Sequence, residues 1–177
     1  MNLVPFKPKP IVPVTERRIV LTGEVDHNMF SELCNRLSEL ELESDEAPVL
    51  VEVSSIGGNT QDALAIVGRL HASPCPIHTV GYGQIMSAAT LIFAAGERRL
   101  MSKYAWFMIH DASDRFAGPL TKVKREVKQL EREELQWIDL LEQFTGVPKA
   151  LWAELTANSA HLTATECKNL QIVDELF

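Results

Sequence analysis

One stretch places a reactive side chain where chemistry is easiest to arrange: Gly81-Tyr82-Gly83-Gln84-Ile85-Met86-Ser87-Ala88-Ala89-Thr90. It follows the β-rich run Ile77 to Val80 and opens into an apolar segment, Ala88 to Ala95, of helical composition. A strand, a glycine-bearing turn and a helix that begins at a serine expose a hydroxyl beside the free N–H groups and positive dipole end of a helix. Ser87 in that setting could be a nucleophile, with neighbouring amides ready to hold an oxyanion. Taken alone, a serine at a helix start is more often a cap. A nucleophilic serine needs a base within hydrogen-bond reach, and histidine is the usual one because imidazole ordinarily titrates near neutrality. His110 directly follows the strand-like run Ala105 to Ile109, whereas His27, His71, His78 and His161 sit in helical or surface contexts. A third candidate is Gly57-Gly58, which follows another apolar strand. All three places lie at the ends of apolar strands, where open α/β sheets bind ligands.

The chain around these residues has the make-up of one soluble domain. It has 177 residues, 46% hydrophobic and 23% charged, enough for a sizeable single core. A formal net charge of -7 offers no basic stripe to neutralise phosphates, so nucleic acid is not expected as a partner. Cys34, Cys75 and Cys167 are scattered and form no CxxC pair, which suits buried thiols in a reducing compartment. No stretch has the order of a signal peptide and no apolar run reaches the roughly 20 residues of a membrane span. A cytoplasmic protein with no membrane partner is the expectation.

The elements that must position the candidates alternate between strand and helix. Arg18 to Gly23 reads as a strand, and Asp26 as the cap of a helix carrying Phe30, Leu33, Cys34, Leu37 and Leu40 at helical spacing. The acidic stretch Glu41 to Glu46 reads as a solvated loop. Val49 to Val53 is the next strand, stopping at Ser54-Ser55-Ile56-Gly57-Gly58, and a helix from about Thr60 to His71 follows. Arg98 to Met101 is a further strand. Such alternation predicts a largely parallel sheet covered on both faces. Leu120 to Phe144 reads as a long helix whose apolar positions drift rather than keep a heptad. At about 24 residues it would be about 36 Å long, so it should protrude and need a partner. Shorter helices are expected from Val147 to Leu155 and from Thr163 to Leu170. Four prolines, Pro5, Pro8, Pro10 and Pro13, make residues 1–17 an extended arm. The domain proper is read as 18–177.

An ordered set of motifs resembles the Clp protease proteolytic subunit: Arg18-Ile-Val-Leu-Thr-Gly23, Ser54-Ser-Ile-Gly-Gly58, Gly83-Gln-Ile-Met-Ser-Ala88, Met108-Ile-His110, Thr145-Gly146 and Leu170-Gln-Ile-Val-Asp174. Each motif is weak alone; their order and spacing from Arg18 to the C-terminus are specific. The resemblance implies an α/β, ClpP/crotonase-type fold of repeated strand-helix turns, with a protruding handle over about 112–144. It implies a homo-oligomer of stacked rings that cleaves polypeptide inside a chamber, without metal or cofactor, and an ATP-dependent unfoldase as a possible partner. Carried over residue by residue, the nucleophile falls on Ser87, the general base on His110, and the oxyanion amides on Gly58 and Ala88.

The sequence departs from that family where its triad aspartate belongs. Counting back from Leu162-Thr163-Ala164, that position holds Ser159, and Asn158 stands in the place of the neighbouring arginine; no carboxylate lies between Glu154 and Glu166. Ser159 or Asn158 could accept the His110 N–H, but neither stabilises an imidazolium as a carboxylate does. In the chymotrypsin-type case the loss of that charge costs on the order of 10⁴ in turnover. Asp111, adjacent to His110, should point away if the strand continues. A lysine base from Lys122, Lys124 or Lys128 competes with their ordinary place on a solvated face. The proline arm replaces the family's unfoldase-contacting segment. Two other functions therefore stand beside a serine endopeptidase: a weakly active or inactive ring subunit, and a crotonase-type acyl-CoA binder.

Overall fold

The computed structural model describes residues 16–177; residues 1–15, most of the proline-rich arm, lie outside the described residues. The first strand, β1 (Arg18–Val25), runs into Asp26, whose carboxylate accepts from the Met29 N–H at 2.9 Å. That cap starts α1 (His27–Glu43), which buries Met29, Leu33, Leu37 and Leu40. The helix continues through Glu43, so the expected acidic loop is shorter than 41–46. The reason is an ion pair: Arg69 holds Glu41 at 2.6 Å, and this bonding keeps the Glu41 carboxyl below its ordinary titration range. Arg69 belongs to α2 (Thr60–His71), which Asn59 caps and which buries Ala63, Ile66, Val67 and Leu70.

Between these helices runs β2 (Val49–Gly58), and after them β3 (Ile77–Met86). Both are ten residues long. Neither stops where the sequence pattern suggested: β2 goes on through Ser54 to Gly58, and Gly81 to Met86 is strand rather than turn. The strands can continue because the register slips. Val53 pairs with Gly81 and Ser55 with Ile85, so β3 carries two extra residues there, with Gly83 at φ +53 taking up the bulge. The slip divides β3 between two partners. Its first half pairs with β4 (Arg98–Met101), its second with β5 (Trp106–Met108), both parallel.

The main sheet thus runs β1-β2-β3-β4 and ends at β7 (Glu175–Leu176), with β5 branching off β3 to pair antiparallel with β6 (His161–Thr163). Short α3 (Ala89–Ala94) is wholly buried, packed on β2, β3 and α2. The long helix is α4 (Leu120–Thr145), 26 residues or about 39 Å. Its buried residues, Ile138 and Leu141, lie in its last two turns, while Leu120, Val127 and Leu135 stay exposed. Then α5 (Lys149–Ala157) buries Trp152 against Phe107 of β5, ring centroids 6.1 Å apart. A capping box of Thr163 and Glu166 starts α6 (Ala164–Asn169). Arg99 anchors the chain end: its guanidinium donates to Asp174 at 2.9 Å, to the Phe144 carbonyl at 2.9 Å and to the Ile172 carbonyl at 3.0 Å. The chain end and the end of α4 are thereby fixed to the sheet.

Candidate active site

Three neighbouring strands reach their carboxyl ends together: β2 at Gly58, β3 at Met86 and β5 at Met108. Ser87 is the first residue beyond β3, and its N–H donates to the Met108 carbonyl at 2.8 Å. Its backbone is left-handed, φ +51, a conformation that costs a non-glycine residue on the order of 1–3 kcal/mol. Thr90 holds it there, its N–H and hydroxyl both donating to the Ser87 carbonyl, at 2.9 and 2.6 Å. The consequence is that Ser87 caps nothing. Ala88 stands at the N-cap of α3, with no side-chain cap bond, and the serine hydroxyl is turned toward His110. With only six residues, α3 supplies little dipole; the Ala88 N–H itself is what the turn offers.

His110 lies two residues beyond β5. Its Nε2 is 2.9 Å from the Ser87 Oγ, and its Nδ1 is 2.6 Å from the carbonyl oxygen of Asp111. A carbonyl oxygen only accepts, so the proton must reside on Nδ1. That leaves the Nε2 lone pair facing the serine hydroxyl, the tautomer a general base requires. The orienting group is thus a backbone carbonyl, which sequence reasoning could not name, while the Asp111 carboxylate is exposed.

Ser159 and Asn158 lie at the end of α5, both exposed. Asn158 donates its amide to the Glu154 carbonyl at 2.8 Å, and among the described residues neither side chain is hydrogen-bonded to His110. The Ile109 N–H donates to the Ala160 carbonyl at 3.1 Å, one step beyond the Met108–His161 pair; Ser159, the next residue back, is left-handed at φ +47 and lies outside the ladder and the cleft lining.

Gly58 and Ala88 line the same cleft as Ser87 and His110, a cavity of about 200 Å³. Gly57, at φ +91, packs against the serine turn so closely that a Cβ there would lie 2.7 Å from the Ser87 Cβ and 2.8 Å from the Ala88 nitrogen. Ser55 supports the loop from below, donating to the Gly23 carbonyl at 2.6 Å and accepting from the Gly57 N–H at 3.1 Å. Lys122, Lys124 and Lys128 are exposed on α4 and do not line the cleft; Lys122 pairs with Glu126 at 3.5 Å. Thr90, Ser55 and Gly57 carry the geometry without reacting themselves. Gly57 was already a candidate from the sequence; of the other two, only Thr90, three residues after Ser87, carries a spacing signal. Among the described residues no group of three or more His, Cys, Asp or Glu could hold a metal ion, and no helix is long and apolar enough to cross a membrane.

A parallel α/β sheet that splits at β3, with a protruding helix and a serine–imidazole contact at the split, defines the class of protein. The profile of the Clp protease family matches residues 12–177, and the chain belongs to that family. It is 25% identical over 162 residues to the ATP-dependent Clp protease proteolytic subunit 2 of Treponema denticola, covering 90% of this chain and 81% of that one. It is 28% identical over 163 residues to the ATP-dependent Clp protease proteolytic subunit 3 of Rhodococcus jostii, covering 91% and 81%. In fold it is similar to the solved structure of a ClpP1 mutant from Listeria monocytogenes, with a TM-score of 0.83, 23% identity and 91% of each chain covered.

Proposed function

We propose that this chain is a serine endopeptidase subunit of the Clp type, acting on unfolded polypeptides or peptides within a homo-oligomeric ring. The observation that carries the reading is the Ser87–His110 contact of 2.9 Å with the tautomer fixed from the far side of the ring. Ser87 Oγ attacks the peptide carbonyl as His110 Nε2 takes its proton. The negative charge that forms on the carbonyl oxygen is received by the amides of Gly58 and Ala88. His110 then returns the proton to the leaving amine, the acyl–serine ester remains, and a water activated by His110 hydrolyses it. The exposed apolar residues Leu120, Val127 and Leu135 of α4 support burial against another subunit. Free Cys34, Cys75 and Cys167 suit the cytoplasm. A fluorophosphonate probe should label the protein at Ser87, and Ser87→Ala should abolish the label; equal labelling of both refutes the assignment.

One observation favours a second reading, a ring subunit with weak catalysis. Among the described residues the side-chain nitrogen that a triad aspartate would hold meets only a carbonyl. A carbonyl dipole orients the imidazole but carries no charge to stabilise the imidazolium. Native mass measurement showing an assembled ring that hydrolyses no peptide and takes no probe would decide for this reading.

A further inference from the structure

The cleft beside Ser87 and His110 has an apolar floor and an acidic rim. Leu64, Leu130, Trp137 and Ile138 form the floor; Asp111, Asp114, Glu133 and Glu134 form the rim. No lysine or arginine among the described residues lines it. Among the described residues none of the four carboxylates is ion-paired to a cationic side chain. Two of them are held in place without being neutralised. Glu133 accepts from the side-chain amides of Gln61 at 3.2 Å and Gln129 at 2.9 Å, and Glu134 accepts from the Ala112 N–H at 3.1 Å. A separate sign of unmet polar capacity is Thr156, which lines the same cavity, is 4% exposed, and has a hydroxyl with no hydrogen-bond partner.

We infer that this cleft is a specificity pocket for a lysine or arginine side chain on the acyl side of the scissile bond; the inference rests on the peptidase reading of Ser87. The shape and the charge both require it. At about 200 Å³ the cavity is below the size of sites for whole small molecules, and suits one side chain. A long aliphatic stem fills the apolar floor, with the Trp137 ring beside it, while the cationic head reaches the rim. A neutral apolar side chain would fill the floor but leave the like-charged rim unrelieved. A carboxylate-bearing one would be repelled. Because the rim is partly exposed, the preference should be about tenfold, and weaker in high salt.

The test separates binding from cleavage. Dye-labelled tripeptide amides ending in lysine or in norleucine, its uncharged counterpart of similar length, are titrated by anisotropy against Ser87→Ala protein at low ionic strength. The lysine peptide should bind about tenfold tighter. That gap should close in Glu133→Gln/Glu134→Gln and persist in Asp45→Asn/Glu46→Gln, which removes the same charge from a distant exposed turn. Norleucine binding as tightly as lysine overturns the pocket, as does equal weakening by both double variants. Fluorophosphonate labelling of the wild-type protein scores the Ser87 reading independently, so the two can fail separately.

Discussion

Restoring a carboxylate at position 159 is the sharpest perturbation of this site. Ser159 and His110 each stand one residue beyond the Ile109–Ala160 hydrogen bond that follows the β5–β6 ladder. If the antiparallel spacing carries one step further, the Cβ atoms at 110 and 159 would be about 5 Å apart. The backbone at 159 is left-handed, φ +47, a region that aspartate tolerates better than most side chains. In Ser159→Asp a carboxylate about 5 Å from the imidazolium, at an effective dielectric near 20, is worth about 3 kcal/mol. That is about 10²-fold in rate if it is expressed only in the transition state. The gain should fall short of the roughly 10⁴ that a triad aspartate supplies in the chymotrypsin-type case, where the carboxylate also sets the tautomer. Here the Asp111 carbonyl has done that already. The assay is kcat/KM on a fluorogenic peptide, with the second-order rate of fluorophosphonate inactivation as a chemistry-only readout. Ser159→Asn, similar in shape and uncharged, should change either rate by less than about threefold. An equal rise in the asparagine variant, or no rise in a folded aspartate variant, would refute the electrostatic argument.

Other perturbations probe the support around the pair. Gly57→Ala puts a Cβ 2.6 Å from the Met86 carbonyl and 2.7 Å from the Ser87 Cβ at φ +91. It should cost about 2–5 kcal/mol and abolish probe labelling; labelling at the wild-type rate would show the serine turn to be independent of this contact. Thr156→Val keeps the shape and removes an unpartnered buried hydroxyl. Thermal unfolding should show stabilisation by about 1 kcal/mol, and a loss of that size would reveal a partner for the hydroxyl. His78 is held below its ordinary range, first by burial and then by Arg98, with Glu97 acting weakly the other way. Its protonation is therefore disfavoured in the folded state, and the unfolded chain binds the extra proton. Stability is full above the ordinary imidazole range and falls as the pH drops through it. His78→Gln should flatten the decline in urea midpoint between pH 7 and pH 5.5, and an unchanged slope would assign that decline to other groups.

Ser87 and His110, the pair we propose to react, were legible in the sequence, whereas Ser55 and Thr90, which hold the turn around them, were not. Ser87 and His110 stand out because their chemistry belongs to the side chain and each follows an apolar run. The family motifs then supplied Gly58 and Ala88 from order alone. The orienting carbonyl of Asp111 has no sequence signature, since every residue carries one. The strand ends were misread for a related reason. Gly81, Gly83, Gly57 and Gly58 look like turn residues, and period-2 patterning fades across them. Yet the register slip of two residues between β2 and β3 lets both strands pass through their glycines.

That slip also explains why the site sits where it does. Before the slip β3 is bonded to β4, and after it to β5, so the sheet splits along the length of a single strand. Beside the split α3 packs on β2 and β3, its six residues all buried, and the turn into α3 is Ser87. The β5 branch ends beside that turn and carries His110 past it, while Gly57-Gly58 closes the third side from β2. A flat parallel sheet would have left the serine at one strand end and the histidine on a strand further out. Changes that close the slip should therefore separate Ser87 from His110 before they unfold the core. Residues such as Gly83, which takes up the slip at φ +53, shape the Ser87–His110 contact without taking part in it.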